Sequence, residues 1–393
     1  MRFQSQCKHT INRTNPYEIF HMGDTMTEKY GIVCKDTQAE IYFNSESISF
    51  DQKTWISRKN IVSINAINDD TNSFKLVLFT KIKCELFKSL SDFRSDGGES
   101  LKACSFNSGT PDNLLNAFKN IKIHPMNQAN KKTTVLAIIC PASGKGTANN
   151  LYAQLIRPLL NSTGSIEILE EFFTTHAGHA TEYIKSKWGS DYSENAPDLV
   201  LTVSGDGIIY EVLNAIKSVA TSQLEKVRLL AIPAGSGNSL ANTSIYNQNC
   251  LENGDGCELI CKVPVSSTLQ NFIRYMHDKH GNSSIESSLE SKFSLMSICD
   301  NKHLSFLTLT YGMIADVDRE SESYRFLGEE RFTVSGVIRS LFLRKYTMVL
   351  QKSHENGQNH FGSLIFPKLD NFGTFSRKNQ KFKKLSPGPD GGP

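Results

Sequence analysis

The chain has 393 residues, of which 39% are hydrophobic and 21% charged, and this composition is typical of a folded protein rather than a disordered one. Its formal net charge of +3 argues against a nucleic-acid-binding protein, which usually carries a strongly basic face. The nine cysteines show no CxxC pairs and suggest the reduced thiols of an intracellular protein. No apolar run of about 18 residues occurs, so the sequence predicts no membrane span.

The N-terminal part of the chain predicts a β-rich module. Residues 1–27 are polar and lack the apolar core of a signal peptide, so we expect partial disorder and a cytoplasmic protein. Over residues 28–125, short apolar stretches alternate with polar turns, and a helix is expected from Pro111 to Phe118 with Thr110 as its N-cap. Strands closed by one helix fit two interpretations, a pleckstrin-homology-like module and a plain β-rich extension of the next domain.

Three glycine-rich loops follow, each between an apolar strand and a helix. They are Ser143-Gly144-Lys145-Gly146, Ser204-Gly205-Asp206-Gly207 and Gly235-Ser236-Gly237-Asn238. Glycine lets the backbone approach a phosphate closely, and the start of a helix adds unpaired N–H groups. Such loops mark the carboxyl edge of a parallel sheet, so residues 133–263 predict a Rossmann-like, phosphate-binding α/β domain. A P-loop ATPase is excluded, because the first glycine of GxxxxGK[ST] is missing.

Two acidic residues of the second loop and its helix are candidates for chemistry. Asp206 would repel phosphate unless a metal ion or a proton transfer requires a carboxylate there. A carboxylate can accept the proton of a hydroxyl that attacks a phosphoryl group. Glu211 lies about one and a half turns further along the predicted helix. Two interpretations of Glu211 stay open, support of the nucleotide site and an ordinary acid on the helix surface.

The C-terminal part changes character. Residues 271–280 are polar and suggest a loop or an insertion, whereas Leu304–Tyr311 alternate apolar and hydroxyl residues, as a half-buried strand does. After about residue 351 strand periodicity is lost, and residues 351–393 predict a basic, disordered tail.

In combination these motifs resemble a known family. Four segments occur in the order found in the diacylglycerol-kinase-type catalytic domain. They are the first loop, residues 174–180, SGDGIIYEVLNAI from Ser204 and PAGSGN from Pro233. The serines before Gly205 and within GSGN, together with the stretch 315–333, are similar to sphingosine (long-chain-base) kinases. The resemblance covers roughly residues 133–348.

The resemblance implies a role for each matching residue. Asp206 is expected as the catalytic base, and Asp318 and Thr308 are expected at the head group of the lipid substrate. The residues expected to bind nucleotide are Ser143, Gly144, Lys145, Gly146, Thr174, Ser204, Gly205, Gly207, Glu211, Gly235, Ser236, Gly237, Asn238, Arg325 and Arg331. Taken without the resemblance, the two arginines favour surface ion pairs with the neighbouring glutamates. His179 matches a His-Ala pair of the family, but a packing or capping role at a helix start is favoured, because no nucleophile accompanies it.

The resemblance also implies a fold order and an activity. A partial β-rich lipid-binding domain is expected over residues 264–350, and the Asp-Gly-Glu that the family carries near its end is absent, so we expect a chain truncated at its C-terminus. The implied activity is phosphorylation of a sphingoid base with ATP and Mg²⁺, with the metal ligands unassigned. Expected partners are the lipid and a peripheral membrane surface, in the cytoplasm, and no nucleic acid. The alternatives are a ceramide- or diacylglycerol-type lipid kinase and a catalytically silent, nucleotide-binding scaffold.

Overall fold

The computed structural model describes residues 28–34, 37–67, 70–82, 86–125, 132–188, 196–220, 228–253, 263–281, 290, 293–298, 302–307, 310–328, 330–353 and 359–365. They fall into two compact units, Met1–Leu307 and Thr308–Pro393. The segment predicted as a disordered N-terminus, 1–27, lies outside the described residues. Among the helices within these ranges, none has the length and hydrophobicity needed to cross a bilayer.

The N-terminal part of the first unit is an antiparallel sheet. Its strands are β1 (Glu28–Cys34), β2 (Thr37–Phe43), β3 (Ser47–Ser49), β4 (Trp55–Ser57), β5 (Ile61–Ile67), β6 (Asp70–Thr80), β7 (Lys88–Ser89) and β8 (Ser100–Ser108). They are ordered β4-β3-β2-β1-β8-β6-β5, and β7 pairs with β8. Helix α1 (Pro111–Asn120) follows, with Pro111 in its first turn and Phe118 packed edge-on against Phe43 at 4.9 Å. The predicted β-rich module and its helix are therefore confirmed.

The other face of this sheet shares a hydrophobic core with the domain that follows. Val62, Val77 and Phe79 are fully or almost fully buried in one cluster with residues of that domain, such as Leu155 and Leu159. A hydrogen bond from the Ser63 hydroxyl to the Ser162 carbonyl, 2.7 Å long, crosses the same contact. This shared core is what the extension interpretation expects, while the pleckstrin-homology interpretation stays a prediction.

A parallel sheet forms the centre of the first unit. Its strands are β9 (Thr133–Ile139), β10 (Ile166–Phe173), β11 (Leu199–Ser204) and β12 (Leu229–Pro233), in the order β10-β9-β11-β12. All three pairings are parallel, so the four carboxyl ends lie at one edge. The helices are α2 (Ala148–Leu151), continued by a π turn (Tyr152–Ile156) into α3 (Arg157–Thr163), then α4 (His179–Lys187), α5 (Asp206–Ala220) and α6 (Ser239–Asn253). Residues of β9 alternate between two buried clusters, as expected for a parallel sheet covered on both faces.

The predicted polar loop at 271–280 is wrong, because these residues belong to helix α7 (Val265–Gly281). Leu269, Phe272, Ile273 and Met276 are buried in the same cluster as the parallel sheet. Their i, i+3, i+4, i+7 spacing places them on one face of a helix. The boundary predicted between residues 263 and 264 thus lies within the first unit.

We expect Met276→Ala to lower the free energy of unfolding of the first unit by about 2–5 kcal/mol, because a fully buried Met leaves a cavity that its neighbours fill only in part. Chemical denaturation followed by tryptophan fluorescence measures this loss. Asp278→Ala, at a half-buried position of the same helix, is the control and should change stability by less than about 0.5 kcal/mol. Equal effects of the two substitutions would contradict the assignment of α7 to this core.

The rest of the described chain consists of short hairpins and two helices. A hairpin of β13 (Met296–Ile298) and β14 (His303–Ser305) closes the first unit. The second unit contains α8 (Met313–Ser321), a 3₁₀ segment (Glu322–Leu327), α9 (Glu330–Leu341) and an antiparallel hairpin of β15 (Thr347–Ser353) and β16 (Asn359–Ile365).

This unit differs from two predictions. A β-rich lipid-binding domain over 264–350 is not confirmed, since helices α7, α8 and α9 occupy much of that range. Residues 351–353 and 359–365, predicted within a patternless tail, pair as strands here. Backbone pairing does not require the alternating pattern on which that prediction relied. Residues 366–393 lie outside the described part of the chain.

Candidate functional site

The three glycine-rich loops pack backbone against backbone at the carboxyl edge of the parallel sheet. A Cβ atom added to Gly144 would lie 2.6 Å from the Ala234 carbonyl oxygen, at the start of the third loop. A Cβ added to Gly205 would lie 2.9 Å from the Gly237 oxygen, and one added to Gly235 would overlap the Gly205 backbone. Real Cβ atoms do not approach backbone atoms so closely, so glycine is required at these contacts. The loops that the sequence predicts as phosphate-binding are thus brought together.

Hydrogen bonds fix the shape of each loop. The Ala234 N–H donates to the Ser204 carbonyl at 3.1 Å, and the Asp206 N–H donates to the Gly237 carbonyl at 3.2 Å. The Asn238 side chain accepts from the Gly235 N–H at 3.0 Å and donates to the Gly235 carbonyl at 2.8 Å, which closes the third loop into a small ring. Asn238 therefore braces this loop.

Several donors of the loops stay available to a ligand. Within the described ranges, the backbone N–H groups of Gly144, Lys145, Ser236 and Gly237 have no protein acceptor. Lys145 is exposed, and its ammonium forms no ion pair with a described residue. Helices α5 and α6 both begin at this edge, and the first turn of a helix favours negative charge. The arrangement suits a phosphate-bearing ligand.

Asp206 is the acid at the centre of this edge. It is only 9% exposed, and its Oδ2 accepts from the Ser239 N–H at 2.7 Å while Oδ1 accepts from the Leu240 N–H at 3.2 Å. The carboxylate therefore caps α6 from a different segment of the chain. Each oxygen keeps a second lone pair, so Asp206 can still accept a hydrogen bond from a substrate hydroxyl.

Ser204 and Thr174 end two of the strands at the same edge. The buried Ser204 hydroxyl donates to the Gly205 carbonyl at 3.1 Å. The Thr174 N–H donates to the Ile139 carbonyl at 2.8 Å, which places Thr174 beside the start of the first loop. Thr174 is 6% exposed, and its hydroxyl has no hydrogen-bond partner among the residues that the structure describes.

Glu211 and His179 hold the segment that follows Thr174. Glu211 Oε1 accepts from the Gly178 N–H at 2.9 Å, and Oε2 accepts from the Ala180 N–H at 3.2 Å. The Thr175 N–H donates to His179 Nδ1 at 3.1 Å. His179 is therefore bonded to the loop before α4 and not to a first-turn N–H of the helix, so a capping role for it is not borne out. Glu211 is more than an acid on a helix surface.

One family model matches the part of the chain that carries this site. The family model described as the diacylglycerol kinase catalytic domain matches residues 134–267, which include all three loops and Thr174. This segment of the chain is similar to that catalytic domain. Sphingosine kinase 1 of Homo sapiens is 31% identical over an alignment of 223 residues that covers 54% of this chain and 50% of that protein.

Two relatives from other kingdoms are similar to this chain as well. Sphingoid long chain base kinase 5 of Saccharomyces cerevisiae is 28% identical over an alignment of 257 residues that covers 60% of this chain and 32% of that protein. Sphingosine kinase 1 of Arabidopsis thaliana is 29% identical over 215 residues, which are 54% of this chain and 38% of that protein. The chain spans half or less of the length of these relatives.

The candidate residues after residue 267 lie in the second unit. Asp318 is exposed on α8, and its carboxylate has no partner in the described part of the chain. Arg331 is 9% exposed, donates to Glu322 at 2.7 Å and stacks on the Phe332 ring at 4.5 Å, so the ion-pair interpretation holds for it in this structure. Thr308 lies outside the described residues, as does the side chain of Arg325.

Asp316, two residues before Asp318, has a carboxylate with several partners within the described chain, unlike that of Asp318. A hydrogen bond from the Tyr346 hydroxyl, together with the charges of Arg344 and Arg339, holds the pKa of the Asp316 carboxyl below its usual value. Arg339 also forms a two-pronged ion pair with Glu320. Asp316 is therefore committed to contacts within its own unit, whereas Asp318 is available to a ligand.

Two features of residues 134–267 have no counterpart among the sequence predictions. One is the cap that Asp206 supplies to α6, and the signal for it is weak: the first turn of α6 contains no acidic residue of its own. The other is Asn214 of α5, whose side chain donates to the Leu304 carbonyl at 2.9 Å and accepts from the Leu304 N–H at 2.8 Å. Asn214 thus fixes strand β14 to the helix that begins at Asp206.

Proposed function

We propose that the protein is a lipid kinase that transfers the γ-phosphate of ATP to the primary hydroxyl of a sphingoid base, giving the 1-phosphate. The convergence of three glycine-rich loops around Asp206 carries the proposal, because it offers an anion site next to a single carboxylate. The names of the relatives support a sphingoid base such as sphingosine, dihydrosphingosine or phytosphingosine.

The nucleotide phosphates are proposed to bind at the loops. The N–H groups of Gly144, Lys145, Ser236 and Gly237 are available donors, and Lys145 adds a positive charge. The free hydroxyl of Thr174 supplies one more donor at the same edge. Backbone donors fixed before the ligand arrives need no rearrangement as charge shifts during transfer.

Asp206 is proposed to orient the lipid hydroxyl and to receive its proton. Its two bonds to the start of α6 fix the carboxylate in one orientation, so the remaining lone pairs point in set directions. An attacking oxygen held by such a carboxylate can be aligned with the γ-phosphate, and alignment is the main requirement of phosphoryl transfer.

Mg²⁺ is the proposed cofactor. Within the described ranges no group of three or more His, Cys, Asp or Glu residues forms a metal site. The residues present nevertheless fit Mg²⁺, because protein-bound Mg²⁺ commonly uses one or two carboxylates together with substrate phosphates. Asp206 is the candidate protein ligand, and the ion would neutralise charge on the transferring phosphoryl group.

Three classes of acceptor are separated by one assay on the purified chain. Transfer of labelled phosphate from ATP should be measured with sphingosine, ceramide and diacylglycerol, with and without Mg²⁺. Transfer to sphingosine that requires Mg²⁺ supports the proposal. Transfer to ceramide or diacylglycerol alone would favour the other lipid kinases, and ATP binding without transfer would favour a silent scaffold.

We also propose a cytoplasmic protein that meets its substrate at a membrane surface.

We expect Asp318→Asn to weaken sphingosine binding by about ten- to a hundredfold and to leave ATP affinity unchanged. A carboxylate facing the ammonium of the base forms a charge-assisted hydrogen bond worth about 1.5–3 kcal/mol. A loss of about 1.4 kcal/mol lowers the affinity tenfold. KM values for sphingosine and for ATP measure the two effects. Asp316→Asn is the control, since Asp316 is bound to Tyr346 and Arg344, and it should lower the melting temperature without raising KM for sphingosine. An unchanged KM in Asp318→Asn would remove Asp318 from the lipid site.

A further inference from the structure

The segment from Thr174 to Gly178, here named the β10–α4 loop, lies at the same edge as the three phosphate loops. Its first residue hydrogen-bonds to Ile139, the last residue of β9, and the first glycine-rich loop follows directly. The Thr174 hydroxyl and the N–H groups of His176 and Ala177 have no acceptor among the described residues. The loop therefore offers further donors beside the proposed phosphate site.

Glu211 holds one end of the β10–α4 loop. Its two carboxylate oxygens accept the Gly178 and Ala180 N–H groups at the start of α4. Those groups are therefore satisfied within the protein and are not free for a nucleotide. Glu211 acts on the loop from helix α5, the helix that also carries Asp206.

His179 holds the other end. Its Nδ1 accepts from the Thr175 N–H at 3.1 Å, and the Thr175 hydroxyl lies 3.2 Å from the same atom. An N–H group can only donate, so Nδ1 must carry the lone pair, and the proton of the neutral ring lies on Nε2. The ring is fixed between Phe172, with centroids 4.7 Å apart, and His176, at 4.5 Å.

We propose that His179 is a positioning residue for the nucleotide. It fixes the Thr175 N–H and so keeps the Thr174 hydroxyl and the N–H groups that follow it turned toward the phosphates. The ring acts through the loop and does not itself touch the ligand. Donors that are placed in advance avoid the ordering cost that a loose loop pays on binding. This inference rests on the proposed function, because the ligand of the loop is ATP.

Two substitutions separate the acceptor atom from the packing of the ring. His179→Phe keeps the aromatic contacts but removes the acceptor, and His179→Asn keeps a side-chain acceptor without the ring. We expect His179→Phe to raise the Kd and the KM for ATP about tenfold with kcat changed by less than about twofold, because the lost interaction positions the bound nucleotide. His179→Asn should return the Kd to within about threefold of wild type.

Amide hydrogen exchange of the segment 172–180 gives a second readout. ATP should slow exchange in this segment of the wild-type protein, and His179→Phe should speed exchange there in the absence of ATP. His303→Phe is the control, since His303 is another histidine of the same unit, and its ring is hydrogen-bonded to a side chain outside the β10–α4 loop, the hydroxyl of Tyr210 at 3.2 Å. It should change neither ATP affinity nor exchange in 172–180.

The outcomes distinguish this inference from the proposed function. If wild type binds ATP and His179→Phe binds it equally well, or if His179→Asn is as weak as His179→Phe, the positioning role is wrong and the proposed function stands. If ATP does not slow amide exchange in residues 172–180 of the wild-type protein, the positioning role is also wrong. This test needs no variant, so it holds even where a variant fails to fold. Absence of ATP binding by wild type defeats the proposed function, and the positioning role with it.

Discussion

Asp206→Asn should lower kcat by about 10²- to 10⁴-fold. ATP free of Mg²⁺, which does not use the proposed metal contact, should still bind with an affinity close to that of wild type. The factor is the usual contribution of a positioned group that accepts a proton in the transition state. The amide cannot accept that proton at neutral pH, although it keeps the size of the carboxylate. Steady-state kinetics with sphingosine and calorimetric titration with ATP measure the two quantities separately.

The cap on α6 complicates this experiment and must be controlled. An Asn side chain has one acceptor oxygen, so one of the Ser239 and Leu240 N–H groups would face an NH₂ group, at a cost of about 1–3 kcal/mol. Asp206→Asn should therefore also lower the melting temperature. A loss of kcat could then arise from a displaced α6 rather than from the missing base.

Two further acid-to-amide substitutions distinguish these causes. Glu211→Gln makes the same change in a carboxylate that also accepts two N–H groups, and it should raise KM for ATP more than it lowers kcat. Asp198→Asn makes the same acid-to-amide change at the amino ends of the strands, where Asp198 accepts a hydrogen bond from the Thr134 N–H at 2.9 Å. It should leave both KM for ATP and kcat unchanged. If Asp206→Asn kept kcat near the wild-type value, Asp206 would be a structural cap and not the base.

The strands and glycine-rich loops of residues 133–263 could be predicted because their signals are local. Val135 to Ile139 is an unbroken apolar run, as a strand buried on both faces requires, and a glycine-rich turn follows it. The strands before Asp206 and Gly235 are also mainly apolar, although Thr202 interrupts the first of them, and each leads into a glycine-rich turn. Helix α7 carried an equally local signal at 269, 272, 273 and 276. It was missed because the polar residues between these positions dominate the composition of the segment, while its periodicity is helical.

The contacts that shape the site could not be predicted, because they join distant segments. Asp206 and Ser239 lie in different helices, and Glu211 reaches the start of α4 across 33 residues of sequence. Side-chain capping within one helix leaves a recognisable pattern, whereas a cap supplied by another element leaves none. For the same reason the sequence does not distinguish one loop glycine from another. Only the packing of the loops shows that Gly235 has less room for a side chain than Gly237.

Gly235→Ala should reduce ATP affinity by at least about a hundredfold. The new methyl group would overlap the Gly205 Cα and lie 2.7 Å from the Gly205 nitrogen and 3.0 Å from the Gly237 oxygen. These are backbone atoms, so the second and third loops must move apart. Loss of one or two hydrogen bonds to phosphate, each worth about 1.5–3 kcal/mol, gives a change of this size.

The same substitution at other glycines tests whether close packing is the cause. At Gly237 a Cβ would lie 3.5 Å from Asp206 Oδ2, an ordinary contact, so Gly237→Ala should lose less than about tenfold. At Gly109, in the N-terminal module, nothing lies within 4 Å, and Gly109→Ala should bind ATP as wild type does. Calorimetry gives the affinities, and melting temperatures show whether each variant is folded. A folded Gly235→Ala protein with wild-type ATP affinity would show that the nucleotide does not depend on the contact between these loops, and the proposed phosphate site would have to lie elsewhere.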